Sequence, residues 1–172
     1  FWYKQQPAAD SQKLPANDNN MANYQSPSNQ KTAAPGFKRY ANETYGFSLE
    51  YPKDFGVNVF PHEFGESVLI EKNDREGFQI YITEFDEEGP LTAARIKKDM
   101  PNLKMEGAQE VVIGGAPTIV FFSSDAQLGR TREAWFVWPP SPTPHGNYLY
   151  QITAKAEFDE KLSQIMATLT FV

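Results

Sequence analysis

Thr131-Arg132-Glu133-Ala134-Trp135-Phe136-Val137-Trp138 and Asn147-Tyr148-Leu149-Tyr150-Gln151-Ile152-Thr153-Ala154-Lys155-Ala156 flank a proline-dense connection, and these two stretches decide the fold. Both are rich in aromatic and β-branched residues and read as strands. Alternation puts Ala134, Phe136 and Trp138 on one face of the first and Trp135 and Val137 on the other, so at least one Trp points away from the main core, on a face that a helix could cover. Next, Phe158, Leu162, Ile165, Met166 and Leu169 recur at helical spacing. They predict an amphipathic helix from about Phe158 to Ala167 whose apolar stripe is core. The chain ends on Leu169-Thr170-Phe171-Val172.

Working towards the N-terminus, hairpins repeat. Asp125–Gly129 turns the chain into Thr131, and Gly114-Gly115 joins Val111–Ile113 to Thr118–Ser123 as a tight hairpin. A helix is predicted from Pro90 to Met100, with Pro90 at its first position, Glu87 and Glu88 at its positive end, and Pro101 as its stop. Ser67–Lys72 and Phe78–Phe85 pair around Asn73-Asp74-Arg75-Glu76-Gly77, and Phe55–Phe60 forms a short strand. Tyr45, Phe47, Leu49 and Tyr51 alternate with Gly46, Ser48 and Glu50, a half-buried strand that ends at Pro52. Strands in hairpins, not alternating singly with helices, imply an α+β domain with a mainly antiparallel sheet flanked by helices.

That domain is expected over residues 37–172. Residues 1–36 read differently. From Gln5 to Pro35 they are rich in Gln, Asn, Ser, Ala and Pro and nearly free of large apolar side chains, so they cannot offset the entropy of ordering. A flexible, membrane-proximal linker is expected here, spanning roughly 30 Å r.m.s.. The opening Phe1-Trp2-Tyr3-Lys4 matches the interfacial end of a membrane helix, so an anchor upstream of Phe1 is expected. The chain itself has no apolar run of the roughly 18–20 residues needed to span a bilayer. With no Cys, disulfides, thiolate metal sites and thiol nucleophiles are excluded within the 172 residues. A formal charge of −6 with scattered Lys and Arg argues against a nucleic-acid partner.

The strand Tyr45-Gly46-Phe47-Ser48-Leu49-Glu50-Tyr51-Pro52 followed by Phe55, and the end running from Asn147 through Phe158 and Ile165 to Phe171, resemble the PsbP-like family. That family is named for an extrinsic oxygen-evolving protein of photosystem II, and it shares its fold with a nuclear Ran-binding protein. The resemblance covers most of Tyr45–Val172 and is similar to the bacterial extracytoplasmic branch. It implies an antiparallel sheet between helices (an α/β/α sandwich), no common catalytic residue, and a role as an extrinsic or assembly factor that binds partner proteins. Some photosynthetic members use surface His and carboxylates for metal. This chain lacks their N-terminal segment and carries an insertion, Pro139-Pro140-Ser141-Pro142-Thr143-Pro144-His145-Gly146, so no metal ligand is carried over.

The same insertion is the most distinctive local feature. Dense proline favours extended, pre-ordered backbone, and a rigid loop rimmed by aromatics suits protein recognition at low entropic cost. Its contact residues would be Trp138, Pro140, Pro142, Pro144, His145, Tyr148 and Tyr150, unless the aromatics are simply core. A divalent metal or small ligand is the alternative, through His62, Glu63 and Glu66. Asp86-Glu87-Glu88 lacks the spaced oxygens of a calcium loop and suits a helix start. Ser123-Ser124-Asp125 holds hydrolase residue types, but no G-x-S-x-G elbow or phosphate loop accompanies it, and only His62 and His145 could serve as base. Asn42-Glu43-Thr44 matches a glycosylation sequon. The sequence reading is a non-catalytic, membrane-tethered, extracytoplasmic binding domain with no cofactor, a protein partner in the cell envelope and membrane contact through the upstream anchor alone. A metal- or ligand-binding module is second and a hydrolase a distant third.

Overall fold

A computed structural model of the chain describes residues 33–87, 90–139 and 146–171, all within one compact unit, Thr32–Val172. Ten strands and two short helices follow in the order β1 Phe37–Asn42, β2 Phe47–Pro52, β3 Gly56–His62, β4 Gly65–Glu71, β5 Gly77–Phe85, α1 Ala93–Asp99, β6 Glu106–Ile113, β7 Ala116–Asp125, β8 Gly129–Trp138, β9 Asn147–Lys155, α2 Asp159–Met166 and β10 Thr170–Phe171. A 3-10 turn at Ala156–Phe158 leads into α2. Seven strands form one sheet, ordered β3-β4-β5-β9-β8-β7-β6, and three form another, ordered β1-β2-β10. Every ladder is antiparallel.

The large sheet has two unlike faces. On one, Val68, Ile70, Phe78, Ile80, Ile82, Val120, Phe136, Tyr150 and Ile152 pack against β2 and α2, whose Leu162, Ile165 and Met166 fill the core as the helical spacing requires. On the other, Ile119, Phe121 and Trp135 meet Ile96 of α1. The division of β8 into an even and an odd face is therefore as read from the sequence, and the helix over Trp135 is α1. The domain is nonetheless dominated by its sheets: each face of the seven-stranded sheet carries a single short helix, so it is an antiparallel α+β domain and not a clear sandwich of helical layers.

Two local expectations need correction. Helix α1 starts three residues after Pro90, with Thr92 as its cap, accepting a hydrogen bond from the Arg95 N–H at 3.1 Å. No acid lies in its first turn; Glu87 instead pairs with the Arg95 side chain. The hydroxyl cap supplies an oxygen to the free N–H groups directly, and Pro90 stays outside the helix. Strands β1 and the first half of β6 were not legible. Both are sheet edges with mostly exposed side chains, so neither needs an apolar face.

Gly114 and Gly115 form the two-residue β6–β7 loop, and their φ values of +59° and +87° fit the primed turn that such hairpins use. A Cβ at Gly115 would meet open space, whereas one at Gly114 would lie 2.9 Å from the Leu169 carbonyl oxygen. Gly115→Ala should cost about 1 kcal/mol of left-handed strain. Gly114→Ala should cost clearly more, because the backbone at Leu169 must also shift. Equal losses in urea unfolding would show that the close approach is not a constraint.

Candidate functional site

The end of β8, the start of β9 and the turn before β2 meet at one end of the large sheet. Trp138 and Tyr148 are register partners across the β8–β9 ladder, with Phe136 opposite Tyr150 two residues further in. Trp138 lies flat on Phe171 of β10, with centroids 4.3 Å apart and an interplanar angle of 18°. Tyr148 meets Tyr45 edge to face at 4.9 Å. All three rim residues, Tyr45, Trp138 and Tyr148, are half-buried. Tyr150 is not available to a partner. It is 2% exposed, stacks on Phe136 at 4.8 Å, meets Phe47 edge to face, and donates its hydroxyl to the Tyr45 carbonyl at 3.4 Å. Pro140, Pro142, Pro144 and His145 lie outside the described residues.

The rim is acidic as well as aromatic. Burial pushes the Tyr45 phenol up, and Glu66, Tyr148 and Glu84 push it further. Tyr150 is raised further still, by burial first and then by Tyr45, Tyr148 and Glu66. Glu66 accepts a hydrogen bond from the Asn42 amide, which also donates to the Tyr40 hydroxyl, while Asn42 Oδ1 accepts from the Tyr45 N–H at 3.1 Å. Asn42, of the sequon, is 8% exposed with both ends of its amide hydrogen-bonded.

The other sequence candidates disperse. His62 stacks on Tyr81 at 4.7 Å, Glu63 is exposed in the β3–β4 turn, and Glu66 is held by Asn42. Among the described residues, no three His, Asp or Glu side chains converge as a metal site needs. Ser123 is buried on β7, and Asp125 closes the β7–β8 turn by accepting from the N–H groups of Gln127 and Leu128. Five strand spacings, roughly 24 Å, separate β7 from the strand of His62, so His62 cannot serve as base to Ser123 or Ser124. Sequence reading missed the exposed Val59, Phe60 and Phe64, because strand patterning there predicts burial and the open edge of β3 is not visible in the sequence.

No family model matches the chain, and no curated protein matches it by sequence. The solution structure of cyanobacterial PsbP from Synechocystis sp. PCC 6803 superposes on it with a TM-score of 0.51 at 10% identity, over 84% of this chain and 98% of that one. A crystal structure from Bacteroides thetaiotaomicron VPI-5482 aligns with a TM-score of 0.49 at 18% identity, over 80% of this chain but 49% of the other, so this chain spans about half its length. A Pseudomonas aeruginosa protein of unknown function aligns at 14% identity with a TM-score of 0.35, over 77% and 94% of the two chains. The chain has a PsbP-like fold. That statement rests on the Synechocystis likeness and reaches no further than the fold.

The raised Tyr150 predicts an alkaline limit to stability. Its proton is held more tightly in the folded chain, so its contribution is fully present below the ordinary phenol pKa near 10 and is lost as pH rises from there through the folded value. Tyr150→Phe should flatten the fall in stability above about pH 10. Near neutrality it should cost about 1 kcal/mol or less, the worth of one long hydrogen bond. An unchanged alkaline limb in denaturant melts would show that Tyr150 does not set it.

Proposed function

We propose that this domain is a non-catalytic accessory module that binds a partner protein, held outside the cytoplasmic membrane by an upstream anchor. The observation that carries this reading is the rim of Tyr45, Trp138 and Tyr148, where half-buried rings sit at the root of the proline-dense connection. Rings already fixed by stacking offer contact area with little entropy left to lose on binding. The fold likeness to a cyanobacterial PsbP favours the same reading by analogy, as does the resemblance of the strand Tyr45–Pro52 to the PsbP-like family. The long polar N-terminal segment suits a tether, and Phe1-Trp2-Tyr3-Lys4 is of the composition found where membrane helices meet the interface.

The test is photocrosslinking in native cells from an analogue placed at Ser141, with Lys53, beyond the far end of β2, as control. One dominant protein should be trapped from Ser141 only, and it should be lost when Pro140, Pro142 and Pro144 are all replaced by Gly, with the melting temperature nearly unchanged. Equal trapping from both positions, or trapping indifferent to the Gly replacements, would remove the connection and its rim as the contact surface.

A further inference from the structure

The outer edge of β3 differs from the rest of the molecule. Strand β3 is the first in the seven-stranded sheet, and among the described residues nothing pairs with its other side. Natural edges are guarded by charge, by bulges or by proline. The opposite edge, β6, has Glu106, Glu110 and a register shift between Glu106 and Gln109. Strand β3, Gly-Val-Asn-Val-Phe-Pro-His over residues 56–62, holds no Lys, Arg, Asp or Glu. Its guard is Pro61 alone. A proline there costs no ladder bond when its nitrogen faces away from β4, and that parity turns the backbone groups of Val57 and Val59 outward as well.

Large apolar side chains gather at the same edge. Val59 is 43% exposed, Phe60 54%, and Phe64, in the turn that follows, 57%. The charge around them has one sign. Across β3, β4 and β5 and the β3–β4 turn there are four glutamates (Glu63, Glu66, Glu71 and Glu84) and no Lys or Arg. Glu63 stands beside Phe64 in the turn, and the N–H of the exposed Glu84 donates to the Phe64 carbonyl at 3.0 Å. Thus the exposed rings have acidic neighbours, while Lys53, Lys72 and Arg75 lie towards the other end of β3, where Lys72 pairs with Asp54 at 3.0 Å.

We propose that the β3 edge is a docking site for an extended segment of a partner protein, basic and apolar in alternation, which adds as an eighth strand. Backbone pairing to Val57 and Val59 supplies the register, Phe60 and Phe64 take the apolar side chains, and Glu63 and Glu84 face the cations. The β3 edge is three strand spacings from the Tyr148 strand, roughly 14 Å; of the groups named, Glu84 alone borders the aromatic rim, opposite Tyr148 in the β5–β9 ladder. A second copy of this chain would offer its own β3, which holds no Lys or Arg, so the charge favours a basic partner.

The full 172-residue chain is titrated by fluorescence anisotropy with a labelled short peptide of alternating Lys and Val, and with its counterpart carrying Glu for Lys. The lysine peptide should bind ~10-fold more tightly or better, less so at high salt. Phe60→Lys should weaken it ~10-fold, and Val112→Lys on β6 should leave it unchanged. Phe64→Lys serves in the same way if the Phe60 variant misfolds. Equal affinity for the two peptides, or no binding of either, overturns the proposal. So does binding untouched by Lys at 60 and at 64, and so does a peptide-free dimer in light scattering that Phe60→Lys dissolves, since a second copy would then fill the edge.

Discussion

The structure depends on one aromatic junction between its two sheets. Phe47 from β2, Phe136 and Trp138 from β8, Tyr150 from β9 and Phe171 from β10 meet with centroid distances between 4.3 and 6.4 Å. Stacked and edge-to-face pairs alternate, as ring quadrupoles prefer. The three-stranded sheet is held to the rest here and through α2. Strand β10 has only two residues, and its ladder to β2 has two pairs, so the ring contacts of the half-buried Phe171 supplement a short ladder. Two hydroxyl contacts tie the same region down: Ser48 Oγ meets Thr170 Oγ1 at 3.0 Å, and the Glu50 N–H donates to Thr168 Oγ1 at 2.8 Å.

The opposite face is organised by a buried carboxylate. Glu133 is 5% exposed and accepts from Thr131 Oγ1 at 2.7 Å, Thr153 Oγ1 at 2.7 Å and Trp135 Nε1 at 3.0 Å. A buried acid is costly unless its oxygens are hydrogen-bonded, and these three donors meet that need. They also fix the indole of Trp135 against Phe121, 5.4 Å away, where Ile96 of α1 packs. One polar cluster therefore sets the position of the ring that seats the helix.

What could be read in advance follows a physical divide. Strands with one buried face, such as Tyr45–Pro52 and Phe78–Phe85, were legible because burial imposes period two on their residues. Helix α2 was legible because its stripe faces the core. The edges β1 and β6 were not, since an edge with exposed side chains imposes no pattern. The candidate site divided the same way. Trp138 and Tyr148 were legible as rim residues from their place beside the prolines. That Tyr150 is sealed under Phe47 while Tyr148 stays half-exposed was not, because the covering residue lies more than a hundred positions away in the chain.

The sequence by itself determined the α+β class, the hairpin order, the two faces of β8 and the core stripe of α2, because these follow from local periodicity and turn chemistry. Only the tertiary structure decided which aromatics are covered, that His62, Glu63 and Glu66 form no metal-binding group, and that, among the described residues, β3 is an edge of the sheet with Phe60 and Phe64 exposed. Those facts depend on strand order and on contacts between distant segments. A single strand carries no record of which neighbour, if any, lies beyond its own edge.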